Sequence, residues 1–443
     1  MSTESQAVVI GGGIAGLCAA AALARRFDRV VVLETHAASS DARAHSPPLA
    51  WRGQRALARL LPSALLRLEA DGVVRADIGA LMRWFVGGEW TPPQALGLET
   101  TGLSRATLEQ RVRESCAELD NVEIRRDVAV AGPVQRWRRV RGVELYDGQL
   151  VKAELVVDAS DGARSPDWLR SLGVARIAEQ AVELGLTVVS GVFELPAGES
   201  LDAGLAIHPL ETRRGGAMVA PIEDGRVSVT LFGYHGDAPP AELDELCRWA
   251  RALPHAAIAE LLARARLVGA LDRRTHARQV RRQLGASLGL PRGYLVVGEA
   301  LCSIDPILGH DVAVAAMQAE LLLELEPGAG TRRWQRKLAR VAAAAWKLGA
   351  SEARCGRSPL AWVRRWCVDQ LLTQAARDAE IQARFVRVIH LVDAPRRMLA
   401  PAMLRRCVGG YLGRRKVAVQ EPRALTMGIP EYVLETHYSS GHR

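Results

Sequence analysis

Apolar and polar positions alternate between short buried-strand patterns and small-residue helices, and the joints between them are glycine-rich. Ala7-Val8-Val9-Ile10 is an apolar run that stops at Gly11-Gly12-Gly13, which predicts a strand covered on both faces and ending in a tight turn. The alanine-rich stretch from Leu17 to Arg26 predicts a closely packed helix, and Arg29-Val30-Val31-Val32-Leu33 predicts a second strand ending at Glu34. Leu155-Val156-Val157 repeats the theme, running into Asp158-Ala159-Ser160-Asp161-Gly162 before Ser165-Pro166-Asp167-Trp168-Leu169 opens a helix. Gly142 to Gly148 reads as a hairpin feeding that strand. A third buried strand, Gly293-Tyr294-Leu295-Val296-Val297, leads into Gly298-Glu299-Ala300 and a small-residue helix from about Val312.

Between these parts lie three alternating or apolar strands, Val182 to Glu194, Gly215 to Ile222 and Arg226 to Phe232, separated by Gly, Pro and Asp turns. Beyond Leu321 the pattern turns helical, with Trp334, Trp346, Trp362 and Trp366 at helix-like spacings. These tryptophans are read first as packing residues and second as a broad apolar wall.

The glycine joint carries chemistry. Within Gly11-Gly12-Gly13-Ile14-Ala15-Gly16, Gly11 allows the tight turn, Gly13 lets backbone N–H groups approach a pyrophosphate, and Gly16 lets the helix pack on the strand. Glu34 stands roughly 20 residues on, where an acid accepts from a ribose hydroxyl. Strand, loop, helix, strand and acid in that order predict a dinucleotide site. The fingerprint alone does not separate FAD from NAD.

Here the chain resembles the class A flavoprotein monooxygenases, the para-hydroxybenzoate hydroxylase-like family, and within it the polyketide-tailoring branch that includes epoxidases. The resemblance rests on the glycine loop, on Asp161-Gly162, on Gly298-Glu299, and on echoes such as Ser104-Arg105-Ala106-Thr107-Leu108-Glu109 and Trp346-Lys347-Leu348. It implies an α/β fold: a Rossmann-like FAD-binding domain of the GR2 type (1–180, with helical and hairpin insertions, and 286–330), an inserted, mostly antiparallel β-sheet substrate domain (181–285), and a C-terminal helical region (331–443). It also implies roles: Gly11, Gly13, Ile14, Ala15 and Gly16 on the FAD pyrophosphate, Glu34 on the adenosine ribose, Arg105 near the flavin ribityl or phosphate, and Asp161 beneath the site. Pro306 and Gly309 belong to the loop facing the flavin. In the stretch after Glu34, Arg43 and His45 are the candidates for a cofactor contact, against the plainer reading of a proline-stiffened loop.

Two departures from the family matter. Glu299 replaces a shorter aspartate, so its contact with a ribityl hydroxyl must shift or be lost. Where relatives carry Pro-x-x-Gly-Gln-Gly, this chain has Pro306, Gly309, His310 and Asp311, which puts a carboxylate where negative charge develops on the reduced flavin. At a few ångström and an effective dielectric near 20, such like charges cost on the order of 4 kcal/mol. The expectation is relieved if Asp311 is a helix N-cap or if a protonated His310 neutralises it. Otherwise His310 and Asp311 read as a catalytic acid/base pair, against the plainer reading of His310 as a loop histidine.

Two functions follow from the resemblance. One is an FAD-dependent monooxygenase, reduced by NAD(P)H, that epoxidises or hydroxylates a large apolar, polyketide-like substrate, possibly carrier-bound. The other is a non-redox cyclase of the same fold, for example decalin-forming [4+2], in which FAD is structural. The Trp-x-Trp-x-x-Ile signature of flavin halogenases is missing.

Charge narrows the partners. The net charge of +9 comes mostly from arginines spread along the chain. With no aromatic-interleaved basic motif, nucleic acid is not expected, and anionic cofactors, a carboxylated substrate or an acidic carrier protein suit the charge better. Seven cysteines without CxxC or paired spacing predict reduced thiols and no metal site. No signal-like N-terminus and no run of 18 apolar residues occurs, so a cytoplasmic protein without a transmembrane segment is expected. The Leu391 to Leu412 segment is read as tail packing, or secondarily as resting on a membrane surface.

Overall fold

The computed structural model describes residues 4–35, 45–46, 49–208, 215–287, 289–325, 330–353 and 359–414. Its centre is a five-stranded, all-parallel sheet in the order Tyr294–Val296, Leu155–Asp158, Gln6–Ile10, Arg29–Leu33, Val122–Arg125. Val8 lies opposite Val156 on one side and Val31 on the other, and all three are fully buried. The apolar runs lack alternation because both faces are covered. Helix Ile14–Leu23 covers one face and is buried all round except at Ala15, so it has no polar stripe. Its closeness to the sheet depends on Gly16, where a Cβ would stand 1.8 Å from the Gly11 carbonyl oxygen.

The Gly142–Gly148 hairpin is part of a three-stranded antiparallel sheet, Val130–Arg136, Arg139–Leu145 and Leu150–Lys152. The second large sheet has seven strands in the order Arg266–Arg282, Glu179–Glu194, Arg226–Gly233, Gly216–Pro221, Gly204–Ile207, Met82–Val86, Glu89–Trp90. Only the contact of Gly204–Ile207 with Met82–Val86 is parallel. Two of its strands therefore come from a hairpin at residues 82–90, an insertion within 1–180. The sheet carries a core on each face: Val189, Phe193, Val229 and Leu231 meet Leu246, Ile258 and Leu261, while Trp84, Leu186, Met218 and Phe232 meet Leu371, Phe385 and Met398.

Trp334 and Trp346 are buried in the main core and Trp366 packs partly buried against the sheet, whereas the side chain of Trp362 lies outside the described residues. The tail packs inward, with Met398 and Met403 in the same cluster as Trp84. Among the described residues no helix is long and apolar enough to cross a membrane. Cys18, Cys116, Cys247, Cys302 and Cys367 are free thiols, and burial pushes those of Cys116 and Cys302 up to about 12.

Candidate active site

The dinucleotide loop opens onto a cavity of about 780 Å³, within the range of small-molecule and cofactor sites. Gly11, at φ +109°, makes the turn out of the first strand, and its N–H donates to the Leu33 carbonyl at 2.8 Å. Gly13 is the N-cap of Ile14–Leu23 and supplies no side-chain cap. A Cβ built on it meets nothing within 4 Å; it would project into the space a pyrophosphate needs. Free helix N–H groups, the positive end of the helix and this open cradle fit the FAD that the sequence implies.

Glu34 is 3% exposed at the cavity edge. Both of its oxygens are held by Arg113, Nη1 to Oε2 at 2.8 Å and Nη2 to Oε1 at 2.7 Å, and Nη2 also donates to the Gly12 carbonyl at 2.9 Å. Sequence reasoning missed Arg113. The available signal was its place eight residues after Arg105 on helix Arg105–Ala117, a little over two turns on.

Asp161 sits exposed in the cavity wall and accepts from Ala163 N–H at 2.9 Å. The buried acid of this turn is Asp158, which accepts from Ser160, Ser165 and Tyr294. Burial raises its pKa against the pull of those hydrogen bonds. Next to it, Arg164 stacks on both Tyr146 and Trp168, its guanidinium 5.2 and 5.7 Å from the ring centroids, and all three line the cavity. Nothing in the sequence reading singled out Arg164 or Tyr146.

At the other end, Glu299 lines the cavity from the short helix Gly298–Leu301 and is exposed to it. Pro306 opens a 3-10 turn capped by Asp305, and Gly309, at φ +62°, is the N-cap of helix His310–Leu322. Asp311 is therefore not the N-cap. It lies in the first turn, where a carboxylate is favoured by the helix dipole, and its side chain enters the cavity. Its charge is met by Arg105: Nη1 contacts Asp311 Oδ2 at 2.7 Å while Nε contacts Glu109 Oε1 at 2.7 Å. Burial works against the Arg105 charge, but the two carboxylates more than offset it and keep the guanidinium charged.

His310 does not supply that neutralisation. Its Nε2 donates to the Ile389 carbonyl at 2.7 Å, and burial lowers its pKa despite that carbonyl and the Asp311 charge. It faces a second, smaller cavity of about 20 Å³, whose wall includes Trp84, Met218, Phe232, Tyr234 and Asp305, with room for about one water. His310 and Asp311, adjacent in sequence, thus open onto different spaces. Tyr234 donates its hydroxyl to Asp305 Oδ2 at 2.7 Å beside His310.

His45 spans the two halves. Its Nε2 lies 3.0 Å from the Pro306 carbonyl and its Nδ1 2.9 Å from Thr230 Oγ1. A carbonyl can only accept, so Nε2 bears the proton, and Thr230 donates to Nδ1. Burial pushes His45 down to about 4 against the Pro306 carbonyl and the Asp311 charge. Arg43 lies outside the described residues.

Comparison with known proteins gives the same reading. A family model described as FAD dependent oxidoreductase matches residues 6–77. The chain is 30% identical over 344 residues to Protein Rv3254 of Mycobacterium tuberculosis, covering 71% of this chain and 72% of that one. Among solved structures, p-nitrophenol 4-monooxygenase PnpA from Pseudomonas putida superposes with a TM-score of 0.63 at 20% identity, over 89% of this chain and 100% of its own. The Diels-Alderase PyrE3 of the pyrroindomycin pathway superposes with a TM-score of 0.60 at 19% identity, over 88% and 81%. At such identities the likeness is one of fold. The dinucleotide loop, the parallel sheet behind it and a relative matched along most of its length agree: the chain belongs to one family with Protein Rv3254, carries an FAD dependent oxidoreductase domain, and has the fold of the class A FAD-dependent monooxygenases.

Proposed function

We propose that the protein is an FAD-dependent monooxygenase that epoxidises or hydroxylates a large apolar, polyketide-like substrate, with NAD(P)H as reductant. The observation that carries this reading is the Arg105–Asp311 ion pair. A bare carboxylate facing the flavin's pyrimidine edge would oppose reduction, whereas a carboxylate paired at 2.7 Å presents little net charge. FAD, when bound and reduced, supplies the activation of dioxygen. The chain's own residues bind and orient it: the Gly11–Gly16 loop and helix end at the pyrophosphate, Glu34 with Arg113 at the ribose, Asp161 and Glu299 along the wall, and the positive N-terminus of His310–Leu322 beyond Gly309. On the far side of that loop, Trp84, Met218 and Phe232 give an apolar wall, and Tyr234 holds a proton against Asp305. The division of labour is that the parallel-sheet unit holds the cofactor while the seven-stranded sheet, residues 181–285 with the strands of 82–90, covers the substrate.

A second reading, a non-redox cyclase with structural FAD, draws on one observation: Arg105 serves two carboxylates, Asp311 and Glu109, so its charge is not given to Asp311 alone. Anaerobic flavin reduction by NADH and NADPH separates the two. In the monooxygenase the wild-type flavin bleaches and oxygen restores its colour. Arg105→Ala, which exposes Asp311, should lower the flavin potential by about 20–60 mV, the equivalent of about 1–3 kcal/mol, and Arg105→Ala with Asp311→Gly should recover it. Wild-type FAD that stays oxidised while Asp311→Gly becomes reducible selects the cyclase.

A further inference from the structure

The two most basic elements of the chain are neighbours in the fold. Strand Arg266–Arg282 and helix Thr331–Ala353 hold twelve Lys and Arg against two acids, Asp272 and Glu352. That excess is larger than the net +9 of the whole chain, so the remainder is close to neutral. The end of the strand lies against the helix. Gln279 Nε2 donates to the Trp346 carbonyl at 3.3 Å, Arg281 stacks 5.8 Å from the Trp346 ring centroid, and Arg336 Nε donates to the Gly285 carbonyl at 3.1 Å.

The helix has two distinct faces. Leu338, Ala342, Ala345 and Trp346 turn to the core, while Arg333, Arg336, Arg340 and Lys347, separated by three, four and seven residues, form one exposed stripe. Arg266, Arg274 and Arg282 are each paired with an acid. In contrast Arg273, Arg332, Arg333, Arg340 and Lys347 are exposed and make no ion pair or side-chain hydrogen bond among the described residues. The inner side of the same helix supplies Gly349 to the wall of the small cavity beside Asp305, His310 and Tyr234. The basic stripe and the apolar side of the site are thus separated by one helix, about 10 Å.

We propose that this face docks an acidic protein, a carrier domain that presents the substrate on a tether beside the Gly349 wall. The proposal rests on reading the apolar side of the site as the place where substrate is transformed. Charge complementarity names the partner: a stripe of exposed cationic groups at helical pitch, with Arg333, Arg340 and Lys347 outside any ion pair among the described residues, matches a stripe of carboxylates at the same pitch. Among the described residues the exposed large apolar side chains are Leu66, Trp137, Tyr146, Leu150 and Val408, none of them on these two elements. The face therefore lacks the anchors of a membrane-binding surface and the stacking platforms of a single-stranded nucleic-acid site.

The test is calorimetric titration of the FAD-loaded, oxidised protein with a pantetheinylated acidic acyl carrier protein at low ionic strength. Saturable binding is expected that weakens as salt is raised and weakens about tenfold or more in R333E/R340E/K347E. R396E/R397E, an exposed basic pair on the tail, should leave it unchanged. No binding at low salt, equal loss in both variants, or tighter capture of oligo-dT or of phosphatidylglycerol vesicles overturns the proposal. An unaltered flavin spectrum and melting temperature show that the triple variant is folded. Because no turnover is read, failed docking leaves the oxygenase reading standing, and a flavin that resists reduction leaves the docking result standing.

Discussion

At the residue scale, the most consequential side chain that sequence patterning did not reveal is Arg113. Glu34 is 3% exposed, and a carboxylate so buried is tolerable only when paired and hydrogen-bonded. Arg113→Ala should therefore cost about 3 kcal/mol in chemical unfolding and weaken FAD retention. Arg113→Lys should recover only part of the loss, since an ammonium cannot reproduce the two-pronged grip on both oxygens of Glu34. If Arg113→Ala unfolds at the wild-type midpoint, the pair contributes nothing and this account of the ribose end fails. The glycines and Glu34 were legible because their roles are backbone roles set by neighbours in sequence. The Arg105–Asp311 pair was not, because its partners are 206 residues apart.

At the element scale, the edge of the parallel sheet shows how a short strand is held. Tyr294–Val296 pairs on one side with Leu155–Asp158. On its other side no strand follows among the described residues, and the side chain of Gln335 substitutes for one: Oε1 accepts from Val296 N–H at 3.0 Å and Nε2 donates to the Val296 carbonyl at 2.8 Å. Both residues are fully buried, so Gln335→Leu leaves two backbone groups without partners and should cost about 2–4 kcal/mol in urea unfolding. An unchanged midpoint would show that water replaces the amide. The apolar run of this strand was readable from sequence. Its edge position was not, and neither was the strand Arg266–Arg282, whose many arginines hide any period-two pattern and are typical of a protected sheet edge.

At the scale of the whole molecule, three histidines join separate parts while held neutral. His45 links the flavin-side loop to the seven-stranded sheet, His310 holds the Ile389 carbonyl at the end of a tail helix, and His390 Nδ1 accepts from Trp51 N–H. Burial lowers all three, His45 to about 4 and His390 to about 3. The unfolded chain then binds more protons than the native state below about pH 6.5, so stability rises with pH through that window and is lost as pH falls. Between pH 7 and 5, above the carboxylate range, the urea midpoint should drop with acidification, and His45→Gln should make the drop shallower. A flat profile would refute the assignment. Taken by itself, the sequence determined the dinucleotide loop, its buried strands, its acid and the family fold, because those features depend on short-range periodicity and on glycine geometry. Only the tertiary structure decided that Arg105 reaches Asp311, that His310 turns away from Asp311, and that Arg113 grips Glu34. Each of these depends on side chains brought together from distant segments, a pairing that no local pattern encodes.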